Sequence, residues 1–122
     1  MKSYVIVGLG GRHELFRDAI INEFRNNCRL LALCDINRGR IDKSVKEAKE
    51  KSGCMVQGYH ADDFNLMLKE HNPDSVIVAT MDCTHVDYIE KALAHGLGFL
   101  CDKPLCTDAS QCRRIMAALR KF

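Results

Sequence analysis

A short apolar run, Tyr4 to Val7, empties directly into Gly8-Leu9-Gly10-Gly11-Arg12. No other feature of the chain restricts its fold as much. The run reads as a strand, and Gly8 permits a tight exit that a side chain at a left-handed position would oppose. Phe16, Ile20 and Phe24, with Ala19 beside them, then fall on one helical face. A strand, a glycine turn and a helix in direct succession form the first half of a β-α-β unit.

The same alternation continues to the end of the chain. Leu30 to Cys34 is a second apolar run, ending at Asp35. Asn37 is placed to cap a helix with Ile41, Val45 and Ala48 on its inner stripe, closed by Gly53. Met55 to Tyr59 makes a weak third strand. Asp62 is placed to cap a short helix with Phe64, Met67 and Leu68 inward, stopped at Asn72-Pro73. Ser75 to Ala79 is apolar at consecutive positions, as in a strand buried on both faces. Thr84 and Asp87 have the spacing of a capping box ahead of a helix with Val86, Ile89 and Leu93 inward. Gly96 ends it, Leu97 to Cys101 is a fifth strand, and a last helix after Thr107 turns Ala109, Cys112, Ile115 or Met116, and Leu119 inward.

Five strands separated by helices imply right-handed crossovers and an α/β fold with a doubly wound parallel sheet, helices on both faces, and strand order 3-2-1-4-5. The ligand crevice is then expected at the carboxyl ends of strands one and four. A chain of 122 residues suffices for one such domain, residues 1–122. Eighteen basic against sixteen acidic residues, without long runs, give no argument for a nucleic acid as partner. No apolar run approaches the ~18 residues of a membrane span, and no leader is recognisable, so the expected compartment is the cytoplasm. The seven cysteines contain no C-x-x-C and no zinc spacing, so they are expected as reduced thiols with no metal.

Four stretches carry chemistry. At the glycine turn, Gly10 lets the backbone approach a diphosphate, and Gly11, Arg12 and His13 lead into the helix whose N–H groups would face it. His13 stands where the G-x-G-x-x-G fingerprint has its third glycine, which serves helix packing; the ring either packs there or turns outward over the crevice. Asp35 ends strand two, where a carboxylate accepts from adenosine ribose hydroxyls, although it could equally serve as a helix cap. Ile36, Asn37 and Arg38 share that address. The negative charge favours NAD over NADP, but Arg38 or Arg40 could neutralise it or clamp a 2′-phosphate. Thr80, Met81 and Asp82 lie where strand four empties into the crevice, with His85 one turn on; they could line a cofactor or form an ordinary loop. Asp102-Lys103-Pro104 presents an ammonium directly after strand five, on a Lys-Pro bond of the kind that can be cis.

In this order the stretches resemble the nucleotide-binding domain of the glucose–fructose oxidoreductase / inositol dehydrogenase (Gfo/Idh/MocA) family. Gly8-Leu9-Gly10-Gly11-Arg12, Cys34-Asp35, Ala79-Thr80-Met81 leading to His85, and Asp102-Lys103-Pro104 correspond to its glycine turn, its acid after strand two, its A-T-P-x-x-x-H segment and its E-K-P segment. His13, Met81 and Asp102 depart from the usual small residue, proline and glutamate.

The resemblance implies a Rossmann domain binding NAD, or NADP, for hydride exchange with a CH–OH group of a sugar, cyclitol or related polyol. Lys103 would lie near the nicotinamide and the reacting oxygen as a catalytic residue, with Asp102 orienting it. It also implies a C-terminal substrate domain beyond this chain, homo-oligomerisation through that domain, and little turnover by residues 1–122 alone. An NAD-dependent glycosidase of the same family and a non-enzymatic NAD(P)-sensing module are the other readings. A methyltransferase is a weaker one, because it has no use for Lys103-Pro104.

Overall fold

The computed structural model describes all 122 residues. Five strands, β1 (Lys2–Val7), β2 (Cys28–Asp35), β3 (Gln57–His60), β4 (Ser75–Val78) and β5 (Gly98–Cys101), form one sheet in the order β3-β2-β1-β4-β5. Every neighbouring pair is parallel. The helices are α1 (His13–Asp18), α2 (Arg38–Ser52), α3 (Phe64–His71), α4 (His85–Ala94) and α5 (Ala109–Lys121).

Successive strand residues point to opposite faces, and both faces are covered. Val5, Val7, Ala32, Cys34, Val76 and Val78 pack with Phe64, Met67, Val86, Ile89 and Ile115 on the α3–α4–α5 side. Ile6, Leu33 and Ile77 pack with Ile20, Ile21, Ile41 and Ala48 on the α1–α2 side. Burial on both sides explains why these strands read as continuous apolar runs. No helix of the molecule is long and apolar enough to cross a membrane.

Register sets the place of the site. Cys34 pairs with Val7, Val7 with Val78, and Val78 with Cys101. The next residues, Asp35, Gly8, Ala79 and Asp102, therefore emerge as one row along the carboxyl edge. From β2 to β5 that row crosses three strand spacings, about 14 Å.

Local chemistry departs from the sequence expectation in several places. The first helix does not run through to Phe24: α1 gives way to a wide π turn over Ala19–Glu23, which rotates the face so that Ile20 and Ile21 are both buried and Phe24 is exposed. Strand three begins at Gln57, leaving Met55 outside the ladder and exposed. The turn before α3 is capped by His60, whose Nδ1 accepts from the Asp62 N–H at 3.1 Å, so Asp62 is not the cap. Thr84 makes no capping bond to α4. In α5 only Ile115 is buried, while Met116 and Leu119 are exposed. Asn37 does cap α2, accepting from the Arg40 N–H at 3.1 Å, and Gly53 ends that helix at φ 70°.

Candidate functional site

The glycine turn is built around one close approach. Gly8 has φ 95°, and a Cβ there would meet the Ala79 carbonyl carbon and the Thr80 nitrogen at 2.4 Å. The turn and the end of β4 touch backbone to backbone, which only glycine allows. Gly10 and Gly11 face open space. The backbone N–H groups of Gly10, Gly11 and Arg12 take no part in the loop hydrogen bonds, so three donors of the turn are left without a partner in the chain.

His13 takes the packing position and does not turn over the crevice: it is 3 % exposed. Its Nδ1 bonds the Gly10 carbonyl, and its Nε2 lies 2.7 Å from the Ser44 hydroxyl of α2. Ser44 accepts from Arg17 at 2.9 Å, and the fully buried Arg17 also reaches Asp18 at 2.9 Å and Glu47 at 3.1 Å. A neutral ring with its proton on Nδ1 satisfies this chain of bonds, since Nε2 is then free to accept from the serine. Burial above all, with the Arg17 charge acting in the same sense, pushes the imidazole below its usual pKa. A bridge between α1 and α2 thus replaces the close glycine contact of the standard fingerprint.

Asp35 is buried, and both its oxygens are engaged by backbone. Oδ1 accepts from the Leu9 N–H at 3.0 Å and Oδ2 from the Asn37 N–H at 2.9 Å. The carboxylate therefore braces the glycine turn against the start of α2, and Asp35 also lines the groove. Arg38 pairs with Asp42 at 3.6 Å and stays out of the groove, whereas Arg40 lines it.

At the end of β4, Thr84 Oγ lies 2.7 Å from Thr80 Oγ and 2.6 Å from the Met81 carbonyl, closing a tight loop. Met81 and Asp82 are exposed. His85, the first residue of α4, is 2 % exposed, with Nε2 at 3.0 Å from the Thr80 carbonyl and Nδ1 at 2.9 Å from the Pro104 carbonyl. The Lys103–Pro104 bond is cis.

Asp102 continues the β5 ladder through its N–H to the Val78 carbonyl, 3.0 Å. Its carboxylate takes a two-pronged bond from Arg12, at 3.1 and 2.9 Å, and accepts from the Lys103 N–H at 3.1 Å. The Arg12 guanidinium holds this carboxyl below the ordinary carboxylate range. Asp102 thus meets the Lys103 backbone, and the Lys103 ammonium stands exposed without an ion pair.

A groove of about 320 Å³ runs across the carboxyl ends of β1, β2 and β4. Gly8, Gly10, Asp35, Ile36, Thr80 and Met81 line it as the sequence suggests, joined by Val7, Leu9, Arg40, Ala79, Thr84 and Tyr88. Gly11 and His13 border a smaller adjoining hollow with Lys43 and Ser44. Asn37, Arg38, Asp82, His85, Asp102 and Lys103 do not line the groove. Tyr88 escaped the sequence reading, though its position four residues after Thr84 on a helix leaving β4 puts both on one face. Its ring is set edge-on to Phe64 at 5.0 Å.

Residues 2–122 match a family model described as an oxidoreductase family with an NAD-binding Rossmann fold. The chain is 31 % identical over 114 residues to an inositol 2-dehydrogenase of Gluconacetobacter diazotrophicus, covering 92 % of this chain and 32 % of that protein. It is 29 % identical over 98 residues to the inositol 2-dehydrogenase of Paracoccus denitrificans, covering 80 % and 27 %. Among solved structures, scyllo-inositol dehydrogenase from Lactobacillus casei with bound NAD(H) and scyllo-inositol shares the fold, with TM-score 0.81 at 21 % identity over 99 % of this chain and 33 % of that one. The chain spans about a quarter to a third of the length of these relatives.

Proposed function

The chain belongs to the Gfo/Idh/MocA oxidoreductase family, and from that premise we propose that it seats NAD in an enzyme exchanging hydride with a CH–OH group of a sugar, cyclitol or related polyol. One observation carries this reading: the row Asp35, Gly8, Ala79 and Asp102 set by strand register. It strings a ribose acceptor, a diphosphate turn, a groove wall and the Lys103 loop along a single edge.

The donor set fits the cofactor. The unpaired N–H groups of Gly10, Gly11 and Arg12 suit a diphosphate, and Asp35, with lone pairs to spare, suits ribose hydroxyls. The buried negative charge of Asp35 opposes a 2′-phosphate, which supports NAD over NADP. Bound here, the dinucleotide supplies hydride exchange at its nicotinamide. The ammonium of Lys103 polarises the reacting oxygen and lowers the pKa of the alcohol. Asp102 acts on this lysine through its backbone N–H, with Arg12 holding the carboxylate in place. Seven unpaired thiols suit a reducing compartment such as the cytoplasm. In a protein of the relatives' length, residues beyond 122 would supply substrate contacts and the main oligomeric interface.

Titration calorimetry with NAD, NADP and S-adenosylmethionine tests the reading on this chain. NAD is expected to bind most tightly, and Asp35→Ala to weaken it by roughly 1.5–3 kcal/mol, the worth of a hydrogen bond to a charged group. A preference for S-adenosylmethionine overturns the assignment. In the full-length protein, Lys103→Ala is expected to abolish most turnover and spare NAD affinity; full turnover by that variant removes the lysine's role.

A further inference from the structure

We propose that His85 is a positioning residue, one whose ring donates from both nitrogens and so ties the loop after β4 to the loop that carries Lys103. The proposal deepens the function above and rests on it for the meaning of Lys103, but not for the ring chemistry.

Both ring partners of His85 are carbonyl oxygens, which can only accept. A neutral imidazole has one N–H and would leave its other nitrogen lone pair facing a carbonyl lone pair in a buried setting. The residue is 2 % exposed, and an unmatched buried polar pair is costly. The arrangement is satisfied when both nitrogens carry protons.

The two carbonyls belong to different loops. Thr80 lines the groove, and Pro104 immediately follows Lys103. The backbone around Lys103 is therefore held at successive points: the Asp102 N–H on Val78, the Lys103 N–H on the Asp102 carboxylate, and the Pro104 carbonyl on His85. Its side chain is left unbonded. That combination fixes where the ammonium starts from and leaves its tip free to follow a substrate oxygen.

The test uses the 122-residue chain labelled with ¹⁵N in its histidine rings, read by long-range ¹H–¹⁵N correlation. Both nitrogens of His85 are expected to be protonated and both N–H protons to exchange slowly; an unprotonated His85 nitrogen overturns the proposal. In His85→Gln, whose side-chain amide stands near the Nε2 position and so gives up the Pro104 carbonyl bonded by Nδ1, the Lys103 amide is expected to exchange about tenfold faster, the scale of one lost buried hydrogen bond, with NAD affinity held within a few-fold. Unchanged Lys103 exchange in a folded variant also overturns it. Should the variant fail to fold, the ring spectrum of the unaltered chain decides alone. Failure of that unaltered chain to bind NAD removes the proposed function and leaves the ring result standing.

Discussion

His13 and His85 each follow the exit of a strand, on opposite faces of the sheet, and are buried to 3 % and 2 % exposure. Their surroundings differ in hydrogen-bond polarity. His13 meets one carbonyl and one hydroxyl, and a hydroxyl can donate as well as accept, so a neutral ring suits it. His85 meets two carbonyls, which can only accept. The cation on the His13 side is Arg17, fully buried, with Nη2 lacking any partner. On the His85 side the nearby charge is an anion, Asp102. Equal burial of one residue type therefore serves two ends: on the glycine-turn side the ring packs two helices together, and on the lysine side it faces two loops.

The contact between those two regions is where the largest effect is expected. Gly8→Ala places a Cβ 2.4 Å from the backbone of Ala79 and Thr80 at φ 95°. Neither atom is a movable side-chain end, so β1 and β4 must part. The expected loss is more than about 4 kcal/mol in urea unfolding, in the exceptional range for a single substitution. Gly53→Ala is the control, because φ is 70° there but nothing lies within 4 Å. It is expected to cost about 1 kcal/mol or somewhat more, from the backbone conformation alone. Equal losses in the two variants would show that the approach of the two regions carries no weight.

A smaller effect belongs to His13 and depends on pH. The His13 pKa is lowered in the folded chain from 6.5, so the unfolded chain binds its proton first as pH falls. Its contribution to stability is full above about 6.5 and is lost as pH drops from there to the folded value. The carboxyls of Asp18 and Asp102 are lowered from 3.8, and their contributions are lost as pH falls from there, so the His13 loss sets in first. His13→Ala is expected to remove the upper slope. It should also cost about 1–3 kcal/mol at neutral pH, since the Ser44 hydroxyl and Gly10 carbonyl lose a buried partner. A variant that keeps the slope would assign it to another group.

What the sequence disclosed follows the same division. The strands and their order were legible because each is short, apolar on both faces and separated from the next by a helix's length. Gly8, Gly10, Asp35 and Thr80 were legible as addresses, since backbone register alone brings strand ends together. Illegible were the features that depend on side chains from separate elements meeting. The bridge from His13 through Ser44 to Arg17 joins α1 to α2, and nothing in the spacing of those residues signals it. Arg38 and Arg40 are equivalent in sequence, yet the helix carries one to Asp42 and the other to the groove. The π turn at Ala19–Glu23 defeats a 3.6-residue period, which is why Phe24 falls on the inner stripe of a regular helix and is exposed in the fold.

The smallest expected effect sharpens the contrast most. Lys103 is exposed and its ammonium has no hydrogen bond or ion pair within the chain, while the backbone on either side is bonded to Val78, Asp102 and His85. Removing the side chain leaves every one of those bonds in place. Lys103→Ala is thus expected to change stability by less than about 0.5 kcal/mol, the usual range for a surface substitution away from packed features. NAD affinity measured by calorimetry on the same variant should stay within a few-fold. The glycine-turn region would then be one in which side chains are needed for folding, and the lysine loop one in which the fold holds a side chain it does not need. Loss of stability well beyond that figure would mean that the ammonium has a structural partner in solution, and the division between the two regions would fail at that residue.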